Sequence, residues 1–332
     1  MIHYVCRAIH RYTIKDFLLA LPADYSGLIS VLPYEEIFAA RALPPTNLIF
    51  TDLDRLSQYE LEIAASGAEA LRQARPEAQI LNHPARFLQR HDLLEWLWHE
   101  GLNPFRSARL ELPLPTLTYP VFLRREGDAN GPETGLLYNQ DELAAAIAAI
   151  RAKGVPLRGR LVVEFCNKPD AAGLFRKYGA FRVADRILPQ HLQISDNWVV
   201  KSNSKQVTEE HVQEEMEYIQ SNPHRDEISR IMDLAGADFG RIDYSIVDGR
   251  MVVFEINSNP GFPGVDKNDP RQERRRTVRE RLIEAFLSLD TPVAPGALVP
   301  LTLPYPRSHG LPAHQLAAPS APRPPLSQPS VA

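Results

Sequence analysis

At 332 residues the chain can bury a substantial core and hold two or three subdomains. Its 44% hydrophobic and 23% charged residues are those of an ordinary soluble globular protein, and a formal charge of −4 gives no electrostatic case for nucleic acid as a partner. No apolar run approaches the roughly 18 residues of a membrane span, and two distant cysteines, Cys6 and Cys166, exclude a disulfide framework or cysteine metal cluster and fit a reducing cytosol.

The N-terminus carries His3, Arg7, His10 and Arg11 with no apolar core behind them, so it is not read as a signal peptide. Residues 1–81 alternate short apolar runs (1–6, 27–32, 47–52) with helical stretches, notably 60–73, which predicts a small α/β layer with a parallel sheet. There is no Gly-x-Gly-x-x-Gly, so no dinucleotide site is indicated. Asp52 and Asp54 follow a strand end, where open sheets bind ligands, but helix capping is the plainer role. Leu81-Asn82-His83-Pro84 is expected to open a helix with an apolar stripe of Leu88, Leu93, Leu94, Leu97 and Trp98, ended by Gly101.

Residues 119–126 predict a strand and 127–132 a loop. A helix over 140–153 follows, capped by Asn139 with Glu142 and stopped by Gly154. Residues 160–166 read as a buried strand. Arg176, Lys177 and Arg182 precede strand-like runs at 186–194 and 198–201. Taken singly, such lysines and arginines are surface charges. Helices are expected over 208–221, 225–236 and 271–289. Eleven of the 29 prolines fall in 291–332, which has no lysine or acidic residue and reads as a disordered tail.

The most informative stretch is 240–261, GRIDYSIVDGRMVVFEINSNPG. Asp248-Gly249 between two alternating runs is a hairpin signal. Ile242, Tyr244 and Ile246 share one face, as do Val252, Phe254 and Ile256. Arg241, Asp243, Glu255 and Asn257 lie on the other. A two-residue turn would set Asp243 opposite Phe254. A three-residue turn, or a bulge with the same effect, sets Asp243 opposite Glu255, Arg241 opposite Asn257 and Tyr244 opposite Phe254. Matching of the apolar faces favours the second register. Two carboxylates and an amide oxygen then converge beside an arginine, a donor set for a hard cation such as Mg²⁺.

With its Arg-x-Asp and Glu-x-Asn-x-x-Pro-Gly strands, this hairpin resembles the metal-binding hairpin of the ATP-grasp superfamily. The resemblance extends over about residues 1–289. It implies an α/β and α+β chain: an N-terminal pre-grasp domain (1–105), a small lid (106–166), a catalytic lobe (167–289) and the proline-rich tail (290–332). It implies Asp243, Glu255 and Asn257 as ligands of Mg²⁺, with Mn²⁺ able to serve in its place, and Arg241 as the stabiliser of a developing acyl phosphate. Arg90, eleven positions before Gly101, and Arg124, after the Pro-Val-apolar-apolar run, take the phosphate-binding places where the family has lysine. Glu164, Phe165 and Cys166 match the hinge that receives adenine through backbone groups, and Arg182 and Lys201 are candidate phosphate or substrate contacts. The implied activity is ATP-dependent ligation of a small-molecule or peptide carboxylate to an amine or thiol, without nucleic acid or membrane and with a homodimer allowed. A small-molecule kinase would share all these residues. A non-catalytic ATP-binding regulator is the third reading, because both phosphate lysines are arginines.

Overall fold

Two antiparallel sheets enclose the cleft, and a parallel sheet precedes them in the chain. The computed structural model describes residues 1–128, 130–201, 208–264 and 272–302. The first sheet is parallel, in the order Ile29–Pro33 (β2), Ile2–Cys6 (β1), Asn47–Phe50 (β4), Ile80–Leu81 (β5). Its central strands β1 and β4 are almost wholly buried, as both faces of a covered parallel sheet require, and the edge strand β2 is half-buried. Tyr12–Leu19 (α1), Tyr34–Ala40 (α2) and Gln58–Ala74 (α3) accompany it. A full capping box of Ser57 and Glu60 starts α3.

The second sheet is antiparallel: Ser107–Arg109 (β6), Arg160–Glu164 (β8), Val121–Arg125 (β7). The helix Gln140–Ala152 (α5) buries Leu143 with Val121, Leu123 and Val162, and Asn139 caps it by accepting from the Glu142 N–H at 3.0 Å. The third sheet is also antiparallel: Arg186–Ser195 (β10), Phe175–Val183 (β9), Phe239–Val247 (β11), Arg250–Asn257 (β12). Glu209–Ser221 (α6), Arg225–Leu234 (α7) and Gln272–Leu289 (α8) pack on it. No helix among the described residues is long and apolar enough to cross a membrane.

Several expectations are corrected. The helix before the lid, Arg90–His99 (α4), does not begin at Pro84. Asn82 sits at φ 57°, and its side chain donates to the carbonyls of Phe50 (3.0 Å) and Phe239 (2.7 Å) and accepts from the Phe239 N–H (2.9 Å). Leu88 N–H donates to the Ala235 carbonyl at 2.9 Å. The run 82–89 is thus tied to two other sheets instead of to a helix of its own. Residues 198–201 form no strand. Asp52 and Asp54 cap no helix through their side chains. Asp52 accepts from the Arg7 N–H (2.8 Å) and pairs with His10 (3.1 Å), and Asp54 pairs with Arg55 at 2.9 Å.

The reading of 291–332 as tail is also corrected where the residues are described. Val299–Pro300 (β13) pairs antiparallel with Ala42–Leu43 (β3), Val299 is buried, and Leu301 packs on the core beside Gly67 of α3. Ser66 donates to the Thr302 carbonyl at 2.9 Å, and Asn47 to that of Thr291 at 2.9 Å. Residues 303–332 lie outside the described residues.

The hairpin contains both candidate registers. Asp248 (φ 52°) and Gly249 (φ 76°) make a two-residue turn, which requires positive φ at both central positions. Tyr244 therefore faces Val253, not Phe254 as expected. A bulge between Asp243 and Tyr244 takes up Phe254, and beyond it Asp243 faces Glu255 and Arg241 faces Asn257. Gly240 allows this end of the sheet to close. Its φ is 146°, and a Cβ there would stand 2.7 Å from the Asn257 carbonyl.

Candidate functional site

A cleft of about 300 Å³ lies between the second sheet and the third sheet. Arg241, Asp243, Glu255 and Asn257 form its floor, set there by the bulged register of β11 and β12. Arg124 of β7 enters from the second sheet, and Gly131 and Pro132 from the loop after it. Glu164, Phe165 and Cys166 close the far wall at the end of β8, and Lys201 lies at the rim. Trp198 packs against Phe165 and Phe122, with ring centroids 5.4 and 5.2 Å away, so that end of the cleft is aromatic and suits the flat face of a base.

Charge is concentrated at the other end. Arg241 grips Asp243 with Nε (2.6 Å) and Nη2 (3.2 Å), and Lys177 Nζ lies 3.2 Å from the same carboxylate. Arg90, in the first turn of α4, pairs with Glu255, and Arg124 Nη2 is 3.4 Å from the same oxygen. Arg90 also donates to the carbonyls of Arg125 (3.3 Å), Glu126 and Asp128 (3.1 Å). Lys201 donates to the Asn130 carbonyl. Burial opposes ionisation of Glu255, yet Arg90 and Arg124 outweigh it and hold its carboxyl down to about 2. Burial likewise works against Asp243, and Arg241 and Lys177 hold it well below the usual carboxylate range. Burial, then Arg90, pulls the Arg124 guanidinium down to about 10. Four cations face two carboxylates, an excess of two positive charges that suits a polyanion.

These ion pairs set a pH dependence. A carboxylate whose folded pKa is depressed contributes stability that is full above its unfolded value, about 4.5 for Glu255, and is lost as pH falls toward its folded value. The melting-temperature gap between the wild type and Glu255→Gln is therefore expected to be constant above about pH 5 and to close as pH falls toward about 2. Melts across that range check it.

Two carboxylates opposed in register with an amide beside them fit a hard cation that takes the rest of its shell from phosphate and water. Among the described residues no group of three or more His, Cys, Asp or Glu could hold a metal without such help. The Asn257 side-chain oxygen accepts from the Asn259 N–H at 2.9 Å, which fixes the amide at the strand end.

Of the residues singled out in the sequence, Arg90, Arg124 and Glu255 form one ion-pair group, and Arg241 and Asp243 form a second one. Asn257, Lys201 and the 164–166 segment line the same cleft. Glu164 turns its carboxylate to the N–H groups of Arg106 (3.1 Å) and Thr118 (2.6 Å), anchoring the wall. Burial, then Glu164, pushes the Cys166 thiol up to about 12, so it offers no thiolate. Arg182 is not brought in. It pairs with Asp233 of α7 at 2.6 Å and donates to the Ala184 carbonyl, because it has the opposite parity on β9 from Lys177. Asp170 caps its own loop by accepting from the N–H groups of Ala172 (2.8 Å) and Leu174 (2.9 Å). Sequence reasoning passed over Lys177 and Asn167, the latter bonded to Ser245 at 3.1 Å; the pairing of β9 with β11 was the signal needed.

No family model matches the chain, and no curated protein matches its sequence. Solved structures do. The D-alanine–D-alanine ligase of Bacillus anthracis complexed with ATP superposes with a TM-score of 0.51 at 10% identity, covering 87% of this chain and 96% of that one. The VanG D-Ala:D-Ser ligase of Enterococcus faecalis gives 0.51 at 11% identity, over 87% of this chain and 99% of that one. At such identities the likeness is one of fold.

Proposed function

We propose that this chain, which has the ATP-grasp fold, is a Mg-ATP-dependent ligase that joins a carboxylate to an amine through an acyl phosphate. The observation that carries the reading is the in-register pair Asp243 and Glu255, ringed by Arg90, Arg124, Lys177 and Arg241 beside an aromatic-walled end of one cleft. Phosphoryl transfer asks a protein mainly for positioning and charge neutralisation, and the cleft offers both.

In this reading Phe122, Phe165 and Trp198 hold the base and exclude water. Arg90, Arg124 and Lys201 neutralise the phosphates. Asp243, Glu255 and Asn257 would hold Mg²⁺, which supplies Lewis-acid stabilisation of the phosphoryl oxygens. A substrate carboxylate oxygen attacks the γ-phosphorus, the bond to the β-phosphate oxygen breaks, and ADP leaves. Arg241 stabilises the charge gathered on the transferred group. The amine nitrogen then attacks the acyl carbon, phosphate departs with the bonding pair, and the nitrogen loses its proton. No side-chain nucleophile is required.

The named neighbours are ligases of D-alanine and D-serine, so amino acids and short peptides are the first acids and amines to assay. The test is ADP and phosphate release from Mg-ATP against pooled amino acids and dipeptides, with mass spectrometry of the products. ADP release that needs both an acid and an amine, with a condensed product, is expected. ADP release with a phosphorylated product and no need for an amine makes the chain a kinase. Tight ATP binding without turnover on any pool makes it a regulator.

A further inference from the structure

Lys177 is the one member of the charged network that no motif announces. It stands on β9 two residues from Gly179, which lies opposite Asp243 of β11, so Lys177 shares the cleft-facing side with that carboxylate. Gly179 has no side chain to separate them, and a Cβ there would come within 2.6 Å of the His191 ring. Lys177 lines the same cleft as Arg124, Lys201 and Asn257.

Asp243 is thereby engaged at both oxygens: Oδ1 takes Arg241, and Oδ2 takes both Arg241 and Lys177. Glu255 is engaged by Arg90 and Arg124 through one oxygen, Oε2. A free divalent cation would have to enter a site that already carries an excess of two positive charges, and compete with charge-assisted bonds to do so. A polyphosphate reverses that balance. Of the two groups on Asp243, the Arg241 fork is planar and held at two points. Lys177 is a compact charge on a flexible four-carbon stem, with donors that rotate freely to a new acceptor.

We propose that Lys177 is a phosphate ligand that guards the metal site, holding Asp243 until a nucleotide polyphosphate draws it away, so that the carboxylate pair takes a divalent cation only together with nucleotide. This rests on the nucleotide reading of the cleft and goes beyond it in naming the residue and the order of binding. Lys177 is a positioning residue for Asp243 before nucleotide arrives and a binding residue afterwards.

The experiment uses the full chain, Mn²⁺ followed by the paramagnetic resonance signal of the free ion, and ADP titrated by calorimetry with chelator present. The wild type is expected to leave the Mn²⁺ signal undiminished, to bind ADP without metal, and to take up Mn²⁺ once ADP is bound. Lys177→Met is expected to take up Mn²⁺ without nucleotide and to bind ADP about tenfold more weakly, the loss of one charge-assisted hydrogen bond. Lys177→Arg is expected to recover most of the ADP affinity. A lowered melting temperature in Lys177→Met with both binding curves unchanged would reduce the lysine to a structural role and overturn the proposal. So would a wild type that binds Mn²⁺ equally well with and without ADP, which leaves the nucleotide reading standing. A wild type that binds ADP under no metal condition overturns both.

Discussion

Replacing Glu255 with glutamine is expected to weaken the fold and to stop the chemistry, by separable routes. As an outward residue on a bare hairpin, the change would alter stability by no more than about 0.5 kcal/mol. The structure raises that figure, because Glu255 is the shared counter-charge of Arg90 and Arg124, and all three are largely enclosed. Glutamine keeps the shape but leaves two guanidiniums facing each other without an anion. The cost is then about 2 kcal/mol, or roughly 4 to 8 °C in the metal-free melt. With Mg²⁺ and an accepted acid and amine, ATP consumption is expected to fall at least about 100-fold, since metal charge stabilisation is worth several kcal/mol. The same loss of negative charge should tighten metal-free ADP binding, a gain that a merely misfolded variant would not show. Undiminished turnover would remove Glu255 from the metal site, and an unmoved melting temperature would remove it from the ion-pair network.

Cutting the chain after Asp290 is expected to lower the melting temperature by about 10 °C. The cut takes away β13, the buried Val299 and the core-packed Leu301, along with the bonds from Asn47 to Thr291 and from Ser66 to Thr302. Two apolar side chains of this size contribute roughly 1.5 to 3 kcal/mol each when buried, and a large domain gives up about 2 to 4 °C per kcal/mol. Val299→Asp in the full-length chain should move the melt in the same direction without any change of length. A truncated protein that melts with the wild type would show that β13 does not hold the N-terminal sheet.

The hairpin was legible because its polar residues recur at strict alternation from Arg241 to Ser245 and from Glu255 to Asn257. The bulge was not. Met251, Val252 and Val253 are all buried, so that part of β12 has no polar face from which to read parity. The Asp-Gly turn demands one register and the charged end another, and only the folded sheet shows that Phe254 absorbs the difference. β9 was missed for a related reason. Consecutive Arg176 and Lys177 followed by Gly179 do not look like a strand, yet the glycine is what lets Asp243 and His191 approach the centre of the sheet. Residues 291–302 were misjudged because proline content describes a segment's own tendency, whereas β3, two residues long, offers an edge that even a proline-bearing strand can cover.

That last pairing has a bearing on how the protein is made. Leu43 waits for Val299, 256 positions further along the chain, which at about 5 to 20 residues per second is a delay of roughly 10 to 50 s during synthesis. Through that interval the growing N-terminal domain exposes an apolar furrow between β3 and α3, and Lys177, Asp243 and Glu255 are all synthesised before it is covered. All the strands of the cleft are therefore synthesised before β13 closes the domain beside it, and until then the furrow is exposed apolar surface of the kind that makes a nascent chain prone to aggregate.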